Sequence, residues 1–147
     1  KVLTSNPDNP TSRICTSFPT GCSAILRSVF NSIGGFDESF DPSGAGEDRD
    51  MALNLYKNGY RSFYNANAKL LHVLAPVGGT RDLGSRSMLL DIHTHRMAKK
   101  YFSEEIANAL RETILKKYKE KLIKAVFSLK YPRTRWNQYI TIKRELL

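Results

Sequence analysis

Residues 34–50 read GGFDESFDPSGAGEDRD, and this stretch decides which fold and which chemistry the chain is expected to have. Before it, Val29, Phe30 and Ile33 share one face of a short helix starting at Arg27, and Gly34 is the left-handed residue that ends such a helix. Phe36 and Phe40 are large apolar residues in an otherwise polar loop, so they are expected to bury and fix its path. Gly44, Ala45 and Gly46 form a joint that permits tight turns or close approach of a ligand. A helix follows, with Met51, Ala52, Leu55 and Tyr56 at helical spacing, closed by Gly59. Its start carries Glu47, Asp48 and Asp50, three carboxylates in four positions. Acidic residues in a first turn stabilise a helix by only about 0.3–1 kcal/mol each. Helix-start stabilisation is one explanation of the cluster, and chemistry is the other.

Working outward, Ile14–Phe18 and Cys22–Leu26 are short β-like runs around the turn Pro19-Thr20-Gly21. Tyr60–Tyr64 and Lys69–Leu74 are two more, separated by Asn65, Ala66 and Asn67. Cys15 and Cys22 are read as small buried apolar residues rather than as a bridge. Ser85 is placed to cap a helix over Ser87–Tyr101, and Ser103 to cap another with Glu104 and Glu105 in its first turn. That last helix carries Ile106, Leu110, Ile114, Tyr118, Leu122 and Val126 at a spacing of four. Ala107, Leu115, Ile123 and Phe127 widen this apolar stripe, and lysines 116, 117, 119, 121 and 124 occupy the other side. The terminal segment adds Arg133, Arg135, Trp136 and Tyr139.

The net charge of +9 is segregated. Residues 111–144 hold 11 Lys or Arg against Glu112 and Glu120, and the remainder of the chain balances. A basic tail on a neutral body suggests an anionic partner for the tail, whether a membrane surface, a nucleic acid or a partner protein, rather than a wholly basic nucleic-acid-binding domain. Neither a signal peptide nor an apolar run of about 18 residues is present in these 147 residues.

Three motifs fail when read from the residues alone. Asp41–Ala52 places Gly46 at the sixth position of a calcium loop, but the twelfth is Ala52 instead of a bidentate glutamate. Asp48-Arg49-Asp50 has the D-x-D spacing of a diphosphate-bound metal site, yet it opens a helix, where positions i and i+2 diverge by about 200°. One carboxylate would face a pocket and the other turn away. His93-Thr94-His95 lies in a helical run, so its two rings diverge too.

Taken in order, Gly21-x-Ser23-x-x-x-Arg27, Ile33-Gly34-Gly35-Phe36-Asp37-Glu38-x-Phe40, Gly46-Glu47-Asp48-Arg49-Asp50-Met51, Gly59-Tyr60 and His72 resemble the second half of a family 2 glycosyltransferase with the GT-A fold. The resemblance covers about residues 20–75. It implies inverting transfer of a sugar from a nucleotide-diphosphate donor to an acceptor hydroxyl. Asp48 takes the role of general base, and Glu47 positions the acceptor or the base. Gly21, Gly46 and Asp50 fall at substrate-binding positions. Arg81 and Arg86 either clamp the diphosphate or are ordinary surface charges. His72 either contacts the diphosphate or its metal, or is structural. A divalent cofactor, Mg or Mn, is expected in the full-length enzyme. Nothing before Cys15 supplies the donor-binding strand that ends in D-x-D, so the chain is expected to be a fragment without the nucleotide-binding half and inactive alone.

The expected fold class is therefore α/β, the acceptor-side half of a GT-A fold, with a mixed sheet flanked by helices and a C-terminal helical extension. Residues 1–100 would form the catalytic part and 101–147 a basic amphipathic tail. The expected setting is cytoplasmic, at the inner face of a membrane if the tail makes peripheral contact there; nucleic acid is not expected as a partner. The alternative is a non-catalytic module whose basic tail docks on an anionic membrane or nucleic acid.

Overall fold

The structure is a computed structural model that describes residues 11–40, 44–70 and 86–147, with Arg86 described in its backbone only. The chain divides into two compact units, Lys1–Asp82 and Leu83–Leu147.

In the first unit, strand β1 (Arg13–Cys15) pairs antiparallel with β2 (Ser62–Tyr64), with Ile14 opposite Phe63 and Cys15 opposite Ser62. Ala66 N–H extends the tie by donating to Ser12 Oγ at 3.0 Å. Between the strands lie a 3-10 turn (Thr20–Cys22), α1 (Arg27–Ser32), a second 3-10 turn (Glu38–Phe40) and α2 (Glu47–Lys57). Cys15, Phe40, Ala45, Met51, Ala52 and Leu55 are buried. Cys22 is exposed, and both cysteines are free.

The expected α/β fold with a mixed sheet is overturned. Helix accounts for 65% of the described residues and strand for 6%, and the sheet has two antiparallel strands. A mixed sheet needs a neighbour for every strand's N–H and C=O groups, and the short apolar runs do not supply them. Ser23 and Leu26 have extended backbone, but the run between them is outside any strand. Pro19-Thr20-Gly21 therefore makes no hairpin: β1 passes over its sequence neighbour and pairs with Ser62–Tyr64. Ile14 and Phe63, facing each other, remain 53% and 66% exposed, so this face of the ladder carries no covering layer among the described residues. The run Lys69–Leu74 lies, from Leu71 onward, outside the described residues.

The second unit is helical. Helix α3 (Arg86–Tyr101), α4 (Glu104–Phe127) and α5 (Pro132–Leu146) pack pairwise, each against the other two. Ser103 caps α4, its Oγ accepting from Ile106 N–H at 3.4 Å, with Glu104 and Glu105 in the first turn. The core joins Ile92, Ile114, Tyr118, Ile142 and Leu146, flanked by Met88, Leu110, Leu115 and Tyr139. Helix α3 thus belongs to the same unit as α4 and α5.

The buried positions of α4 are Ala107, Ile114, Tyr118 and Ala125, in steps of seven, four and seven. This is the 3.5-residue period of a helix packed along a seam. A strict spacing of four drifts about 40° per step around a helix of 3.6 residues per turn. Ile106 and Val126, the two ends of the anticipated stripe, have accordingly rotated outward and are 51% and 52% exposed. Phe127, read from the sequence as part of the stripe, is 86% exposed.

The lysine face is also not wholly free. Lys117 Nζ donates to Asp91 Oδ2 at 2.6 Å, and Tyr118 Oη donates to the same oxygen at 2.9 Å, tying α4 to α3. Burial, reinforced by this bond to Asp91, raises the Tyr118 hydroxyl above its ordinary range. Lys121 Nζ sits 4.8 Å from the Tyr118 ring centroid, and burial beside Lys117 and Arg135 lowers its pKa. Among the described residues, no helix is long and apolar enough to cross a membrane.

Candidate functional site

The loop that leads to the three carboxylates is built from the end of α1. Gly34 and Gly35 have φ of +84° and +71°, which turns the chain away from the helix axis. Gly35 is required twice over, because a Cβ there would also stand 3.1 Å from the Phe30 ring. The close approach lets Phe30 meet Phe36 edge-to-face, with centroids 5.7 Å apart. Phe40 is buried as expected, at 2% exposed, whereas Phe36, expected to bury as well, is 45% exposed and is held at its edge contact with Phe30. Asp37 Oδ1 accepts from Ser39 N–H at 3.0 Å and shapes the turn that drives Phe40 inward.

The far side of the loop is fixed by Gly44 N–H donating to Phe40 O at 2.9 Å. Gly44 and Gly46 have φ of +56° and +101°. Gly46 is the N-cap of α2, and its carbonyl accepts from Asp50 N–H at 3.0 Å. A Cβ on Gly44 would lie 3.7 Å from the Glu47 carboxylate, so Glu47 folds back over the joint. At the other end, Asn54 Nδ2 donates to Ile33 O at 2.9 Å and ties α2 to the end of α1. Asn54 was not foreseen as a positioning residue; its signal was a polar side chain one residue before the buried Leu55.

The helix separates the acids as its periodicity demands. Asp50 is 2% exposed and participates in the interior, whereas Asp48 is half-buried at the rim and Glu47 likewise. Asp48 Oδ1 accepts from Arg49 N–H at 2.7 Å, which restrains the carboxylate. Among the described residues its Oδ2 has no hydrogen-bond partner, so one oxygen is oriented and the other is available to a proton donor.

The remaining candidates are distributed as follows. Gly21 is exposed in the Thr20–Cys22 turn, with open space around its Cα, and Gly46 and Asp50 belong to the joint and the interior. His72, Arg81 and the Arg86 side chain lie outside the described residues. His93 and His95 are buried along α3, and burial together with Lys99 and Arg111 holds His95 below its ordinary pKa.

Among the described residues, no three His, Cys, Asp or Glu side chains gather closely enough to hold a metal ion. Asp50 is turned inward from Asp48, so the D-x-D pair offers a single outward carboxylate. No protein family, curated protein or solved structure matches the chain.

Proposed function

We propose that the Gly44–Asp50 joint carries the acceptor side of an inverting glycosyl transfer, with Asp48 as the general base. The observation that carries the reading is the half-buried Asp48 carboxylate, one oxygen held by Arg49 N–H, at the mouth of a glycine joint. The order and spacing of the residues from Gly21 to Gly59-Tyr60 support it independently.

In this reaction the acceptor hydroxyl gives its proton to Asp48 Oδ2 as its oxygen attacks the anomeric carbon. The new C–O bond forms on the face opposite the bond to the nucleoside diphosphate, and that bond's electron pair leaves with the diphosphate. Inversion follows from the single displacement. Glu47, folded over Gly44, borders the space an acceptor would enter and orients it beside Asp48. Asp50 holds the first turn of α2 in place from the interior and so aims Asp48 without touching the reacting atoms.

The test is Asp48→Asn in the longest natural polypeptide that contains these 147 residues. A positioned base contributes about 10²–10⁴-fold, so kcat should fall by that factor while donor affinity changes less than about twofold. Unchanged turnover would remove Asp48 from the role of base.

A further inference from the structure

The corner between α4 and α5 presents a set of large apolar side chains that the rest of the bundle does not use. Phe127 and Leu129 are 86% exposed, Tyr131 76%, Trp136 54% and Val126 52%. The corner is held out by unusual backbone. Leu129 and Tyr131 have φ of +54° and +56°, and Tyr131 precedes Pro132 at the start of α5. Leu129 follows the Ser128 C-cap of α4, where a left-handed residue commonly ends a helix, but this residue is usually glycine, and side chains rarely occupy the region. The charge around the corner has one sign. Residues 121–144 contain seven Lys or Arg and no Asp or Glu, and Lys124, Lys130 and Arg133 are exposed beside the apolar tip.

We infer that this corner is a membrane-docking tip, in which Phe127 and Leu129 enter the interface of an anionic bilayer while Lys124, Lys130 and Arg133 meet lipid headgroups. Three features select lipid over other occupants. A protruding leucine has no π-face on which a base could stack, whereas an acyl boundary accepts Leu and Phe alike. Tyr131 and Trp136, one end apolar and one end polar, suit the headgroup level. A second copy would bring a like-charged corner against this one, whereas an anionic surface complements it. The apolar seam of α4 is occupied by α3 and α5, so of the basic amphipathic tail expected from the sequence the corner is what remains for such contact.

The inference stands apart from the glycosyl-transfer reading, since it concerns none of Gly44–Asp50. Its test uses the 147-residue chain and its single tryptophan, Trp136. Co-sedimentation would be measured with vesicles of phosphatidylcholine alone and with about one-third phosphatidylglycerol, at low salt and at roughly 0.5 M salt. Binding to the anionic vesicles should be on the order of tenfold tighter than to neutral ones, weaken with salt, and shift Trp136 emission to the blue. The double variant F127E/L129E should lose about tenfold or more in affinity while keeping its helical circular dichroism. Ile106→Glu, also at an exposed apolar residue but about 30 Å away along α4, should change affinity less than about twofold.

Absence of binding to anionic vesicles, or equal binding by F127E/L129E, would overturn the inference. So would a concentration-dependent blue shift with dimer mass and no lipid, which would assign the corner to self-association. Binding of a duplex oligonucleotide that survives F127E/L129E, with vesicles left unbound, would assign the charge to nucleic acid.

Discussion

Left-handed backbone separates the two units. Every described residue with positive φ in the first unit is a glycine: 34, 35, 44, 46 and 59. In the second unit they are Leu129 and Tyr131. A glycine takes this conformation at little steric cost, so the first unit uses it to route a loop and set the angle at which α2 begins. A side chain in the same region costs about 1–2 kcal/mol. A fold needing only a turn would be more stable with glycine at residues 129 and 131. The first unit bends where side chains are absent, and the second bends where they are displayed.

The largest effect expected from breaking this comparison is in the helical core. Ile142 is fully buried, and Ile142→Ala should cost about 2–5 kcal/mol in denaturant unfolding. Ile106→Ala, on the anticipated but displaced stripe, should cost less than about 0.5 kcal/mol. Equal costs would mean that α4 packs with a spacing of four after all.

Next comes the loop. Gly35→Ala meets both a φ of +71° and the Phe30 ring at 3.1 Å, and should destabilise by about 1–3 kcal/mol in thermal melts. Gly21→Ala, with ordinary φ and open surroundings, should be neutral or stabilising by up to about 1 kcal/mol. A neutral Gly35→Ala would show that the Phe30–Phe36 contact does not fix the loop.

Smaller still, Leu129→Gly should raise stability by about 0.5–1 kcal/mol by releasing the left-handed strain, while weakening vesicle binding. A loss of stability would mean that Leu129 packs in the folded state more than its exposure implies.

The smallest effect concerns pH. His95 is held below its ordinary value of 6.5 by burial first, then by Lys99 and Arg111; Arg96 and Glu145 line the same small cavity of about 320 Å³. Because the folded chain resists protonating this ring, the unfolded state binds more protons between the two pKa values. The His95 contribution is complete above 6.5 and is lost as pH falls below it. The melting temperature should therefore decline through that window, and His95→Gln should flatten the decline.

These contrasts also explain what could be read from the sequence. The elements within residues 27–40 and 44–59 were legible because their signals are local: Val29, Phe30 and Ile33 on one face, Gly34 and Gly59 at helix ends, Met51, Ala52 and Leu55 facing inward, although Tyr56, at the same spacing, is 50% exposed. The Ser103 cap and its two glutamates were legible for the same reason. The pairing of Cys15 with Ser62 was not, because nothing in either tripeptide specifies a partner so far along the chain. Two β-like runs around a Pro-Thr-Gly turn suggested a hairpin, and the turn instead closed as a 3-10 turn. The α4 seam was misread because a spacing of four and a period of 3.5 coincide over two turns and diverge over six. Asp91 escaped notice because its partners, Lys117 and Tyr118, lie on another helix.

At the candidate site, the division of the carboxylates was foreseeable from helix geometry alone, since Asp48 and Asp50 must point apart. Which of them faces inward was not, because that depends on the loop glycines and on Asn54. The central claim is that one acidic cluster contains a group for chemistry and a group for structure. Its most direct measurement pairs Asp48→Asn with Asp50→Asn, reading the melting temperature of the 147-residue chain and turnover in the longest natural polypeptide that contains it. Asp48→Asn should leave melting within about 0.5 kcal/mol of the parent and reduce kcat by about 10²–10⁴-fold. Asp50→Asn should destabilise the chain by about 1–3 kcal/mol, as expected for a buried polar group deprived of its partners. Full turnover in Asp48→Asn, or a greater loss of stability there than in Asp50→Asn, would contradict it.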